Sequence, residues 1–155
     1  MTLLIPRTAC VAIQQEVKCW GRHPAETGAF LLGKDRTVDV IAWAGERDIA
    51  RRRDQFAVGG LALAVMFEWA DSQHLTVLAL LHSHRREAFL SPVDLQYGFD
   101  VPGFVSAIVP FYADPPEDPS DWRWWRYQAR WQELAPPAVV ESPFSEITFD
   151  SDGVR

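Results

Sequence analysis

Cysteine is scarce in this sequence, long apolar runs are missing, and there is no excess of positive charge. The two cysteines, Cys10 and Cys19, lie too far apart for a Cys-x-x-Cys redox or zinc pair. Both fall in one segment expected to be helical, where they read as reduced, buried thiols. The uncharged stretch from Phe56 to Phe67 is shorter than the ~20 apolar residues a membrane span needs. Only Leu3-Leu4-Ile5 stand before Pro6, which is too little for the apolar region of a signal peptide. With 15 Lys+Arg against 21 Asp+Glu, the net charge of −6 lacks the basic excess that neutralises phosphates. These absences exclude a membrane protein and a generic nucleic-acid binder, and they lead us to expect a soluble, cytoplasmic protein.

What is present fits a folded domain. Hydrophobic residues make up 48% of the 155 positions and charged ones 23%, ordinary for a globular chain with a substantial core. Ile5, Ala9, Ile13, Val17 and Trp20 recur at helical steps, so a helix is expected from Pro6 to Trp20. Glu26 to Leu32 reads as a strand, with Thr37 to Trp43 as its hairpin partner. Arg51-Arg52-Arg53-Asp54 reads as a solvated loop, with contact to an acidic partner at the rim of a site as the alternative; it is followed by a helix from Gln55 to Ser72, apolar nearly all round and expected between layers. A short buried strand covers Leu75 to Leu81, a helix Ser91 to Tyr97, a core strand Phe104 to Val109, and an alternating strand Trp122 to Gln132. From Ala135, Pro136-Pro137 reads as a linker into a polar tail, with a short strand expected at Glu146 to Phe149. The expected division is therefore a domain over 1–134 and a tail over 135–155. Strands interleaved with helices predict an α/β fold, a mixed β-sheet flanked by helices.

The chemistry concentrates in His82-Ser83-His84 and Ser91-Pro92-Val93-Asp94, directly after the buried strand. Two His at i and i+2 of a strand point to one face and at a strand end make half a metal site. A tetrahedral zinc takes His nitrogens or carboxylate oxygens at about 2.0–2.2 Å, so Asp94, returned by the next turn, is the obvious third ligand. The same residues also form a helix start: Ser91 at the N-cap, Pro92 at the first helical position, and an acid at the third. Both readings stand on the residues alone.

His82-Ser83-His84 with Ser91-x-x-Asp94 resembles the metal motif of the JAMM (MPN+) metalloprotease family. Upstream, Glu26-Thr27-Gly28-Ala29-Phe30-Leu31-Leu32-Gly33 is similar to that family's Glu-containing strand. The resemblance departs at the turn, where six residues separate His84 from Ser91 and the family usually has seven. Arg85 also stands where a proline is common. The fold so implied is similar to that of cytidine deaminases, but deaminase chemistry would want His-x-Glu and Pro-Cys-x-x-Cys, and neither occurs.

The resemblance implies one zinc per chain, held by His82, His84 and Asp94, with Glu26 as general base and Ser91 donating to the oxyanion. Zinc acidifies water to a pKa of about 7. The implied activity is that of a zinc metallopeptidase or isopeptidase of the stand-alone prokaryotic type. Its implied substrate is the bond after the C-terminal glycine of a ubiquitin-like or sulfur-carrier protein, with an E1-like activating enzyme as an associated partner. The alternative is a metal-free MPN-type scaffold, in which the shortened turn takes Asp94 out of range and the protein only binds partners. The Trp122–Trp131 segment as an aromatic platform for single-stranded nucleic acid is set aside on the acidic balance.

Overall fold

A computed structural model describes residues 2–97 and 99–155. Its centre is an eight-stranded mixed sheet, built from both parallel and antiparallel neighbours. In chain order the elements begin with β1 (Leu4–Pro6), α1 (Arg7–Gly21), β2 (Gly28–Gly33) and β3 (Val40–Ala44). A hairpin follows, β4 (Ile49–Arg52) and β5 (Gln55–Val58), then α2 (Gly60–Ser72), β6 (Thr76–Ser83), α3 (Pro92–Tyr97) and β7 (Val105–Val109). The chain closes with β8 (Arg123–Tyr127), β9 (Trp131–Leu134), β10 (Ala138–Val140), β11 (Ser145–Asp150) and β12 (Gly153–Val154). The sheet order is β12-β11-β3-β2-β6-β7-β8-β9, with β6/β7 and β3/β11 parallel.

The central strands read as unbroken apolar runs because both faces of the sheet are covered. On β2, Ala29 and Leu31 turn to the side of α1 and join Ile13, Val17, Ile41 and Leu81. Phe30 and Leu32, one residue out of phase, turn to the side of α2 and meet Met66, Ala70 and Phe149. Two helices on opposite faces of one sheet thus bear out the α/β expectation.

Several local expectations need correction. The helix expected from Gln55 begins at Gly60, and Gln55–Val58 is instead a strand. Its apolar residues do not bury all round: Ala62, Met66 and Ala70 face the sheet, while Leu61 is 72% exposed. The arginine segment is solvated as expected at Arg52, Arg53 and Asp54, but it is a hairpin rather than a loop, since Arg51 and Arg52 lie in β4 and Arg51 is partly buried. The Trp122–Gln132 strand is a hairpin, with Ala129 in the left-handed region (φ 63°) at its turn. Alternation continues in phase across such a hairpin, so the pattern alone cannot reveal the reversal. Cys10 is buried as expected, but Cys19 is exposed.

The expected tail belongs to the fold, and the short strand expected within it at Glu146–Phe149 is present as part of β11. Ala138–Val140 pairs in parallel with β1, and Ser145–Asp150 lies in the main sheet beside β3, with Phe149 and Asp150 fully buried. Pro136 and Pro137 lie in the short irregular connection between β9 and β10, and Pro137 itself is buried. Among the described residues no helix is long and apolar enough to cross a membrane.

Candidate metal centre

The site grows from the register between β2 and β6. Gly28 pairs with His82 in this antiparallel ladder, and the ladder continues one step further through the Ser83 N–H, which donates to the Thr27 carbonyl at 2.9 Å. Glu26 therefore lies opposite His84. Residues on one face of a strand recur every second position, so Glu26, His82 and His84 share a face and the intervening Thr27 and Ser83 share the other. Glu26, His82 and His84 are all buried, and each offers a ligand atom within 4.8 Å of the others. The position opposite His82 must be glycine: a Cβ on Gly28 would stand 2.4 Å from the Phe56 ring and 2.8 Å from the Leu81 carbonyl oxygen.

His84 lies just beyond β6, yet its backbone stays fixed. Its N–H donates to the Val109 carbonyl and its carbonyl accepts from the Tyr112 N–H, both at 2.9 Å. The two imidazoles converge, with Nε2 to Nε2 at 3.2 Å. Asp94 closes the triangle: Oδ1 is 3.0 Å from His82 Nε2 and Oδ2 is 3.0 Å from His84 Nε2. The turn that is one residue short still brings Asp94 to both histidines. Ser91 and Asp94 also cap α3 reciprocally, the Asp94 N–H donating to Ser91 Oγ and the Ser91 N–H to Asp94 Oδ2. The cap and the contact with the histidines coexist, because the cap is what aims the carboxylate.

Hydrogen bonding at the triangle calls for a cation. His84 Nδ1 lies 3.2 Å from the Glu87 carbonyl, which can only accept, so Nδ1 carries the hydrogen. The lone pair of neutral His84 is then at Nε2, aimed at a carboxylate oxygen. Only a positive charge between them, a proton or a metal ion, makes that contact attractive. Edges of 3.0–3.2 Å come close to the edge of about 3.3 Å in a tetrahedron with bonds of about 2.0 Å. Two imidazole nitrogens and a carboxylate are a suitable donor set for such an ion. One polar atom supports the same view: Glu26 Oε1 is buried beside the triangle without a hydrogen-bond partner, a costly state for a carboxyl oxygen.

Charge divides the two carboxylates. Burial pushes the Glu26 carboxyl up to about 9, with the negative charges of Asp94 and Asp54 adding to the effect. Burial also acts to raise Asp94, but the hydrogen bonds of His82 and His84, the charge of His82 and the Ser91 N–H outweigh it and hold Asp94 well below the usual range. A cation at the triangle would oppose the burial of Glu26 and favour its ionised form.

All five residues singled out in the sequence come together here, in two adjoining recesses. Glu26, His84 and Ser91 line a polar cleft with Asp54, Arg85 and Phe89. His82 and Asp94 line a neighbouring pocket, otherwise largely apolar, with Phe56, Leu90, Phe104 and Trp131. Sequence reasoning missed the support. Phe56 stacks on the His82 ring, centroids 6.2 Å apart and planes 16° from parallel. Ser83 Oγ accepts from the Thr27 N–H at 2.9 Å, tying the two ligand-bearing strands together from behind. Ser83 was readable in principle, since a residue between two histidines on a strand must face the other way.

No protein-family model and no curated protein matches the chain. Solved structures do. A protein of Desulfitobacterium hafniense superposes with a TM-score of 0.70 at 14% identity, over 91% of this chain and 94% of its own. A JAB1/MPN domain protein from Archaeoglobus fulgidus gives 0.54 at 21% identity, over 90% and 98%. A structure described as a metalloprotease-like JAMM zinc site of the proteasome and signalosome gives 0.55 at 19% identity, over 91% and 100%. At these identities the likeness is one of fold, and it agrees with the fold that the two sequence segments imply. This chain has the JAB1/MPN fold, with a candidate metal site where His82, His84 and Glu26 converge.

Proposed function

We propose that the protein is a zinc-dependent metallopeptidase or isopeptidase that hydrolyses the bond after the C-terminal glycine of a ubiquitin-like or sulfur-carrier protein. The observation that carries this reading is the triangle of His82, His84 and Asp94 beside a buried, unpartnered Glu26 oxygen. In this reading the three triangle residues hold the ion. Bound there, zinc supplies Lewis acidity and acidifies water.

The chain's own groups do the rest. Glu26, ionised when a cation is present, takes a proton from the attacking water and returns it to the leaving nitrogen as the C–N bond breaks. Ser91 accepts from the Asp94 N–H through a lone pair, so its hydroxyl hydrogen remains to be donated to the developing oxyanion. His82 and His84 are fixed for their task by Phe56 and the Glu87 carbonyl. An E1-like activating enzyme is the associated partner in this reading, and the cell compartment is the cytoplasm.

The test has two stages. Elemental analysis of the purified chain should give about one zinc per chain, lost in His82→Ala. The zinc-loaded protein should then cleave a short peptide, or a lysine-linked peptide, from the terminal glycine of a ubiquitin-like or sulfur-carrier protein, as read by mass spectrometry. Glu26→Gln should keep the metal and lose cleavage. Zinc bound without cleavage of either linkage would sink the hydrolase reading. No zinc after reconstitution would leave a scaffold that binds partners without catalysis.

A further inference from the structure

We propose that Arg51 is a positioning residue for Glu26, acting through the β4–β5 hairpin; this rests on the hydrolase reading of the site. The hairpin forms a separate two-stranded sheet, outside the ladder that carries the site. It nevertheless touches the site at two points. The Arg52 carbonyl accepts from the Glu26 N–H at 2.8 Å, and Phe56 lies on the His82 ring. Something must fix the hairpin to the body of the protein.

Arg51 does so with every side of its guanidinium. Nε donates to Thr27 Oγ1 at 3.1 Å. The two terminal nitrogens donate to the carbonyls of Ala44 and Gly45 at the end of β3. One flat face lies 4.1 Å from the ring centroid of Trp20, near the end of α1. Trp20 is held in turn by its own indole N–H, which donates to Glu16 at 3.1 Å. The residue next to Glu26 is thus gripped from one side by Ser83 and from the other by Arg51.

Glu26 itself receives no side-chain partner on Oε1. Its placement therefore depends on its backbone, held by Arg52, and on its neighbour Thr27, held by Arg51 and Ser83. An arginine is required for this because its planar fork offers donors in several fixed directions. A lysine ammonium keeps the charge but cannot reach Thr27 and both carbonyls while stacking on Trp20. Arg51 touches neither the metal ligands nor the reacting atoms, so its effect on hydrolysis passes through Glu26.

The experiment uses the full chain with Arg51→Lys. Amide hydrogen exchange at Glu26 and Thr27 should speed up by about tenfold to a hundredfold, the range for loss of a hydrogen bond to a charged group. Exchange at Ala107 and Ile108 in β7 should not change. Zinc content should stay at the wild-type value. Turnover should fall at unchanged KM. Unchanged exchange at Glu26 and Thr27 overturns the proposal, whatever the activity. Equal acceleration in β7 also overturns it, because Arg51 would then support the fold at large. A zinc-loaded wild-type chain without turnover defeats the hydrolase reading instead, and the exchange result alone then judges the positioning role.

Discussion

Asp150→Asn is the sharpest test of whether the last twenty residues belong to the fold. The Asp150 carboxylate is fully buried at the end of β11, and both of its oxygens only accept. Oδ1 takes the Asp152 N–H at 2.9 Å and Arg155 Nη1 at 3.2 Å. Oδ2 takes Glu46 N–H at 3.0 Å, Arg47 N–H at 3.4 Å and Arg155 Nη2 at 2.7 Å. An asparagine of the same shape must turn its NH₂ towards one of these groups, and even the smaller group contains two donors. A stranded backbone donor costs about 1–3 kcal/mol. The Arg155 side chain is 55% exposed, so solvent screens its pairing. The expected destabilisation is therefore that of the stranded backbone donor, about 1–3 kcal/mol, a sizeable share of the 5–15 kcal/mol typical of a whole domain. Urea denaturation followed by tryptophan fluorescence measures it. The pH dependence gives a second check. The Arg155 hydrogen bonds, helped by three backbone N–H groups and opposed by burial, hold the Asp150 carboxyl below its usual range. A depressed carboxylate contributes stability above its unfolded pKa that is lost as pH falls towards the folded one. The gap between wild type and Asp150→Asn should therefore narrow in acid below about pH 4. A loss under ~0.5 kcal/mol at pH 7, or a gap that widens in acid, would refute the argument.

Asp94→Ala should lower zinc affinity by at least the roughly 10–100-fold seen when a supporting partner is lost; competition with a chromogenic chelator reads it, and unchanged affinity would remove Asp94 from the site. In metal-free protein the raised Glu26 pKa carries its own sign: a carboxyl whose folded pKa exceeds its unfolded value favours folding less as pH climbs from the ordinary carboxylate range towards about 9. Glu26→Gln should flatten that loss, so its melting temperature relative to wild type should rise between pH 5 and pH 8 when chelator is present. Gly28→Ala places a Cβ against the Phe56 ring and the Leu81 backbone. It should cost about 1–3 kcal/mol in stability, as overpacking does, and disturb zinc retention by displacing Phe56 from His82. A variant of wild-type stability would show that the ring yields freely.

The sequence carries the site more legibly than its supports, for a physical reason. His82-Ser83-His84 and Ser91-Pro92-Val93-Asp94 are short-range patterns, and strand period and helix capping already aim their side chains. The supports are long-range. Arg51 stands in a run of three arginines that composition alone assigns to solvent, yet its partners are Thr27, Ala44, Gly45 and Trp20 from three separate stretches of the chain. The tail was misread in a related way. Pro136-Pro137 marks a turn equally well at the end of a domain or between two strands. Only pairing with β1 and β3, each more than a hundred residues earlier in the chain, decides between them.

The short His84–Ser91 turn shows how two local rules combine into one geometry. Removing a residue from a connection shifts where the next element starts, and by itself that could withdraw Asp94. Asp94 is not free to follow the shift, because its N–H is held by Ser91 Oγ and Oδ2 by the Ser91 N–H. The reciprocal cap turns Ser91 and Asp94 into one rigid unit. What the turn must place is then a single body whose carboxylate faces the opening of β6. On the other side, the pairing of Gly28 with His82 fixes Glu26 against His84 with no freedom of register, since a slip by one residue would send Glu26 to the opposite face. Each half of the site is thus rigid within itself, and the remaining adjustable link is the loop from Arg85 to Leu90. That loop is pinned near its start and its middle, by the Arg86 carbonyl accepting from Phe111 N–H at 2.9 Å and by the Ala88 carbonyl accepting from Arg123 at 3.0 Å.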